Sequence, residues 1–258
     1  MARLMETIRT TDVPEGSVAI TYLAQAGFAF KTPAGKVLFV DPYLSDCCNR
    51  LVGFKRMIPT LVEVDEASPD VLVSTHSHPD HLDIDAVAAL AKRKGTLFVG
   101  APDCGATYDE LGIEADRRTI LAEGEEAEVA GVRFRAVFAD HGELAPEAVG
   151  LVMEIGGVRV YLVGDSAYRP QEILASLKGP VDVMISPING QFGNMNGRET
   201  CLLGEQVGPR LLVACHFWMF VEHNGNPAEF LEHAKKLPKS IEPLVMAPGE
   251  ARVVRRAT

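Results

Sequence analysis

The chain has 258 residues, 47% of them apolar and 23% charged, with a formal net charge of −10. That composition can bury a substantial core, and its acidic balance excludes a nonspecific nucleic-acid surface. No run reaches the roughly 18 apolar residues of a membrane span, and MARLMETIRTTDVPEG at the N-terminus lacks the apolar centre of a secretory signal. The five cysteines (Cys47, Cys48, Cys104, Cys201, Cys215) form no CxxC pair and read as reduced thiols of a cytoplasmic protein.

Residues 1–16 read as a loosely held lead-in to one domain spanning 1–258. Val18 to Leu23, Phe28 to Lys31 and Lys36 to Val40 follow as a meander of short strands, ending at Asp41-Pro42. Asp41 is a turn former or a support for a nearby site, and the turn is the favoured reading. Residues 44–69 show no period and hold Phe54, Met57, Ile58 and Leu61, suited to a pocket cover or to the core. Val71 to Val73 is a buried strand, and Asp83 is placed to cap a helix over 84–93. Strand 96–99, helix 103–111 and strand 119–121 come next. Hairpins follow at 126–139 around Gly131 and at 149–163 around Gly156-Gly157. A helix starting at Pro170, strand 181–185, helix 198–207, strand 211–214, helix 227–236 and strand 242–246 complete an α/β alternation.

The chemistry concentrates between β-like Val71-Leu72-Val73 and the capped helix, in THSHPDHLD. His76, His78, Asp80 and His81 place four metal-ligating side chains within six residues, including three of the chain's seven histidines. Ordinary loop composition does not produce that density. In extended chain, His76 and His78 point the same way and can share an ion. Asp80 and His81, beyond the turn favoured by Pro79, can face a second. Three further candidates each follow a strand directly: His141 in FADHGE, Asp165 in LVGDSAY and His216 in LLVACHFW. Singly, a histidine at a strand end is more often structural than ligating.

HxHxDH at a strand end is the signature of the metallo-β-lactamase fold hydrolases, which this sequence resembles. It is similar in particular to the branch that includes L-ascorbate-6-phosphate lactonase, from about Ser17 to Glu250. The resemblance implies a four-layer αββα sandwich of two mixed β-sheets flanked by helices. It also implies that His76, His78 and His141 hold one divalent ion and that Asp80, His81 and His216 hold a second. Asp165 bridges the two, and Asp80 and Asp165 are the catalytic carboxylates. Nitrogen and carboxylate donors with open positions suit Zn²⁺ or Mn²⁺. A metal-bound hydroxide is then the nucleophile, with Asp80 orienting it and passing its proton to the leaving oxygen. GDSAY lacks the second glycine of a nucleophile elbow, so Ser166 is read as a neighbour of Asp165.

On the substrate side, SPINGQFGNMNGRE and HFWMFVEHNGNP are similar to stretches beside the metals in the lactonase-like branch. They offer Asn189, Asn194, Arg198, Trp218 and His223 as contacts. Each has a plain alternative: Asn-Gly turns, a solvated helix face for Arg198, packing for Trp218, an exposed loop for His223. Departures from the branch are a shorter chain, a reduced segment after Asp41, and His141 itself, where the branch is not uniform. The expected function is hydrolysis of a small anionic ester, most simply a sugar-acid phosphate lactone. The alternative is a phosphodiesterase acting on small cyclic or nucleotide substrates. Long nucleic acid and membrane are not expected partners, and a homo-oligomer is open. A diiron oxidoreductase of the same superfamily would carry a carboxylate where His78 stands.

Overall fold

A computed structural model of the chain describes residues 3–256. The opening meander forms as expected, with Ser17–Tyr22 (β1), Phe28–Lys31 (β2) and Val37–Val40 (β3) paired antiparallel. Val71–Ser74 (β4), Leu97–Gly100 (β5) and Arg118–Ile120 (β6) then add parallel to β3. Every residue of β3 and β4 is buried, which explains their continuous rather than alternating apolar runs.

A second sheet takes Glu126–Val129 (β7), Val132–Phe138 (β8), Val149–Ile155 (β9) and Val158–Leu162 (β10) as an antiparallel series. Val183–Pro187 (β11), Leu211–Cys215 (β12) and Glu242–Val245 (β13) extend it in parallel from β10. The chain then crosses back, and Ala251–Arg255 (β14) pairs with β1 at the far edge of the first sheet. Among the described residues, each sheet has seven strands. Phe28, Phe30, Phe39, Phe98, Phe134 and Tyr161 are fully buried in the core these sheets form, each contributing roughly 1.5–3 kcal/mol on burial.

Helices flank both sheets. Leu4–Thr10 (α1), Cys47–Val52 (α2), Ile84–Ala91 (α3) and Cys104–Glu110 (α4) belong to the first half of the chain. Pro170–Leu177 (α5), Gly197–Val207 (α6) and Pro227–Ala234 (α7) pack on β8, β11 and β13. The architecture is therefore the α/β sandwich of two mixed sheets flanked by helices.

The expectation of a loose lead-in over 1–16 is corrected by α1. Met5 and Ile8, three apart, are buried on one face of it. Arg9 donates to Ser68 Oγ at 2.8 Å, and Lys31 donates to the carbonyls of Arg9 and Thr11, which ties the helix to β2. The aperiodic 44–69 segment holds α2, stopped by Gly53 in the left-handed conformation. Beyond it, the Met57 N–H donates to the Met219 carbonyl at 2.7 Å, fastening this segment to the loop after β12.

Candidate metal centre

The ligand candidates leave the strand ends where the two sheets meet. Asp83 caps α3 as its position predicts, accepting from the N–H groups of Asp85 and Ala86. Its other oxygen accepts from the Leu44 N–H at 2.9 Å and the Ser45 N–H at 2.6 Å, while Ser45 Oγ donates to the capping oxygen at 2.7 Å. One buried carboxylate thus fixes both the start of the helix and the loop after β3, and the THSHPDHLD loop is held between them. The Val149 N–H donates to the Thr75 carbonyl at 3.1 Å, joining the second sheet to that loop. Gly164, one residue before Asp165, has φ +69°, and a Cβ there would lie 2.9 Å from the Val149 oxygen. Only glycine fits where the chain leaving β10 runs so close to the start of β9.

The seven donors gather into two adjoining clusters. In the first, His78 Nδ1 lies 3.0 Å from His76 Nε2 and 3.2 Å from His141 Nε2. In the second, His81 Nε2 and His216 Nε2 are 3.3 Å apart. Asp80 Oδ2 is 3.5 Å from the former and 3.4 Å from the latter. Asp165 stands between the clusters: Oδ1 is 3.4 Å from His81 Nε2, while Oδ2 is 3.3 Å from His216 Nε2 and 3.7 Å from His141 Nε2. A tetrahedral ion with donors at about 2.1 Å spaces them about 3.4 Å apart, so the donor set fits divalent metal. Nitrogen lone pairs facing one another at these distances repel unless a proton or a cation lies between them. His76, His78 and His141 form one possible metal-holding group, His76, His81 and Asp165 a second, and Asp80, His216 and His223 a third.

Neighbours fix which ring nitrogen is left to bind. His81 Nδ1 meets Asp41 Oδ2 at 2.9 Å, turning Nε2 toward the cluster. The same carboxylate accepts from the Thr75 N–H at 2.8 Å and from Thr75 Oγ1 at 2.7 Å. Thr75 Oγ1 in turn lies 3.2 Å from His76 Nδ1, and the Leu144 carbonyl lies 3.1 Å from His78 Nε2. Asp41 does sit in a turn, with φ +46°. Its buried carboxylate nonetheless supports the site, which corrects the preference for a turn former alone.

Without an ion the cluster carries its own charges. Burial pushes the His81 ring down, but Asp165, Asp80 and Asp41 outweigh it and hold its pKa well above the ordinary range. His216, buried beside Asp165 and Asp80, is raised to about 9. Burial works upward on Asp80 and Asp165, yet the two histidines keep both carboxyls well below the usual carboxylate range. His223 goes the other way: burial, then the charge of His216, lower it to about 3.

Gln25 is a site residue that reading the sequence passed over. It sits in the β1–β2 turn with φ +55°, and its carbonyl accepts from the His216 N–H at 2.7 Å. Its Nε2 lies 2.8 Å from Asp80 Oδ2 and 2.6 Å from His223 Nδ1. Exchanging the amide oxygen and nitrogen would set oxygen against the Asp80 carboxylate, so the amide N–H groups face Asp80 and His223. The one available signal was a single amide side chain in the largely apolar run from Val18 to Phe30.

A cleft of about 180 Å³ opens onto the clusters, reached by His78, Asp80, His141, Asp165, His216 and His223. Its walls are Cys48, Val52, Phe54, Leu144 and Phe192. Of the expected substrate contacts, His223 lines it. Asn194 is buried and donates to Asp165 Oδ2 at 2.7 Å, so it positions that carboxylate. Three expectations are corrected. Asn189 is buried with its amide on the Gln191 carbonyl at 3.3 Å, bracing the turn, while Asn196 and Glu199 form a capping box on α6. Arg198 projects from α6 into a separate surface recess with Cys201, Glu205 and His233. Trp218 is 55% exposed in a groove with Met57, Val221 and Asn226, its ring edge-on to Phe217, so it neither packs in the core nor walls the cleft. Among the described residues, no helix is long and apolar enough to cross a membrane.

The profile of the β-lactamase superfamily domain matches residues 38–217 of the chain. A UPF0173 metal-dependent hydrolase of Rubrobacter xylanophilus is 30% identical over 247 residues, covering 91% of this chain and 96% of that protein. The structure of Igni18, a metallo hydrolase of Ignicoccus hospitalis, superposes with a TM-score of 0.76 at 20% identity, covering 93% of this chain and all of that one. An isothiocyanate hydrolase from Delia radicum gut bacteria gives 0.73 at 20% identity, covering 92% of this chain and 99% of its own. The last two likenesses speak to the fold, and the first two findings to descent: the chain belongs to the β-lactamase superfamily and, within it, to the UPF0173 metal-dependent hydrolases.

Proposed function

We propose that the chain hydrolyses an ester bond in a small molecule. Divalent ions would be held by His76, His78 and His141 on one side and by Asp80, His81 and His216 on the other, with Asp165 between. The observation that carries this reading is the pair of donor clusters with donors 3.0–3.5 Å apart, each with members lining one cleft. An ion bound there would acidify a water, to a pKa near 7 with Zn²⁺, and would polarise the substrate's carbonyl or phosphoryl oxygen.

The remaining work falls to the chain itself. Asp80 lines the cleft and is placed to take the attacking water's proton and return it to the leaving oxygen. The water oxygen bonds to the acyl carbon, the carbon–oxygen bond to the leaving group breaks, and the returned proton completes an alcohol beside the new acid. Gln25 holds Asp80 and His223 in register. With Nδ1 accepting from Gln25, neutral His223 carries its proton on Nε2 and can donate it as a hydrogen bond to a substrate oxygen.

A sugar-acid phosphate lactone is the finer reading that the sequence resemblance supports, and a small phosphodiester is its rival. Either anion would have to be held by the ions themselves, because among the described residues no Lys or Arg lines the cleft. The test is elemental analysis of protein prepared without chelator. Rates follow, with an uncharged lactone, bis(p-nitrophenyl) phosphate and a thioester after loading with Zn²⁺ or Mn²⁺. More than one equivalent of metal and hydrolysis lost on chelation are expected. A metal-free protein, or a rate indifferent to chelator, sinks the reading.

A further inference from the structure

The geometry points to a substrate whose group beside the scissile bond is uncharged and apolar, about the size of one phenyl ring or a short alkyl chain. This rests on the reading of the site as an ester hydrolase and names what its cleft receives. The floor of the cleft is polar, but its walls are Val52, Phe54, Leu144 and Phe192 with the Cys48 thiol. Phe54 and Phe192 have ring centroids 5.9 Å apart and both stand edge-on to His223, at 5.7 and 5.4 Å. The aromatic wall therefore runs directly up to the residue that faces the reacting centre.

Two features of that wall have no use in the folded chain alone. Phe192 holds φ +55° between Gly190 and Gly193, a conformation costly for a bulky side chain, and is 45% exposed. Val52 and Leu144 are likewise more than half exposed at the mouth, at 52% and 57%. The Leu144 carbonyl lies 3.1 Å from His78 Nε2, which keeps the backbone of this residue beside the first cluster. Apolar groups kept in water at the rim of a site gain only when something apolar covers them.

Lys55, next in sequence to Phe54, is exposed and outside the lining of the cleft, and the arginines Arg56 and Arg169 are already engaged. Arg56 donates to the carbonyls of Ser45 and Ile58 and lies over the Tyr43 ring at 5.0 Å. Arg169 pairs with Asp140 at 2.7 Å and with Glu172. In size, the cleft's 180 Å³ compares with the roughly 150 Å³ apolar cavity that takes up benzene. A sugar phosphate would meet rings where it needs cations.

The experiment measures binding of a hydroxamate series to the zinc-loaded full chain by calorimetry. The probes are aceto-, propiono-, butyro- and pentanohydroxamate, with a pentanohydroxamate bearing a terminal carboxylate. Affinity should rise about fourfold with each added methylene, and the terminal carboxylate should erase that gain. In Phe192→Ser, at unchanged zinc content, the rise per methylene should flatten. A flat series with acetohydroxamate bound tightly, or tighter binding of the carboxylated probe, overturns the inference and leaves the ester-hydrolase reading standing. A full chain-length effect retained in Phe192→Ser removes Phe192 from the wall and overturns the assignment. If no hydroxamate binds the zinc-loaded chain, the cleft does not lead to the ions, and both readings fall.

Discussion

Asp41→Asn tests how the second cluster is held. The wild-type carboxylate, 2% exposed, accepts from the Thr75 N–H, from Thr75 Oγ1 and from His81 Nδ1, at 2.8, 2.7 and 2.9 Å. An asparagine of the same shape keeps its oxygen on the Thr75 N–H and puts an amide N–H₂ where Oδ2 was. That amide can only donate, so His81 Nδ1 must become the acceptor and its proton must move to Nε2. Nε2 is the atom that faces Asp80, Asp165 and His216, and once protonated it cannot ligate. Losing an outer partner of this kind typically costs 10- to 100-fold in metal affinity, or about 1.4–2.8 kcal/mol. Titrating the metal-free chain with Zn²⁺ against a chromophoric chelator should show one of two binding steps weakened by that factor. Asp41→Gly supplies the control, because glycine relieves the φ of +46° while deleting the carboxylate. If both variants bind Zn²⁺ as the wild type does, Asp41 is a turn former only and the reasoning fails.

Other variants divide the site further. His141→Ala should empty the first cluster preferentially in elemental analysis, since His76 and His78 alone hold an ion poorly; loss of both ions together would mean that the clusters are not separable. Asp80→Asn should lower kcat by roughly 10²-fold or more even when metal is restored, and near-normal turnover would reduce Asp80 to a scaffold. Gln25→Leu removes the N–H groups on Asp80 and His223, so kcat should fall about tenfold or more at unchanged metal content; an unchanged kcat would make the amide mere packing. For pH, His216 is raised from its ordinary value near 6.5 to about 9 when no ion is bound, with His81 shifted the same way. The metal-free chain therefore has this stabilisation in full below pH 6.5 and loses it as pH rises toward 9. The metal-loaded chain should gain over the same window, because ions displace those protons. Melting temperatures that rise together with pH, with and without chelator, would contradict the assignment.

Much of the fold was legible because burial demands leave a pattern. The continuous run of β4, the hairpin glycines Gly131 and Gly156-Gly157, and Pro170 at the first turn of α5 all mark elements that the structure contains. What escaped lacks such a demand. α1 is seven residues long, too short to display a period, and it is held by contacts from Lys31 and Ser68 that no local window contains. β14 is an edge strand with mostly exposed residues, so nothing in ARVVR alternates, and its place beside β1 is fixed by a partner more than 200 positions away.

The site divides along the same line. His76, His78, Asp80 and His81 must converge from one loop, so their spacing is itself the geometry, and the chain betrays it in six residues. Asp41 and Gln25 act through single contacts with residues distant in sequence. Nothing beside them distinguishes a working carboxylate or amide from one that merely turns the chain. The cleft wall is harder still, because Val52, Phe54, Leu144 and Phe192 come from three separate segments. In a sequence, an apolar residue facing a substrate looks the same as one facing the core. The difference appears only as exposure: Phe192 and Leu144 stay substantially in water while Phe28 and Phe39 are wholly buried. The candidate ligands are thus polar residues whose local density is improbable, and the cleft wall is made of apolar residues whose density is ordinary. That is why the clustered ligand candidates could be picked out from the sequence, whereas Arg198 and Trp218, conspicuous by type, lie outside the cleft.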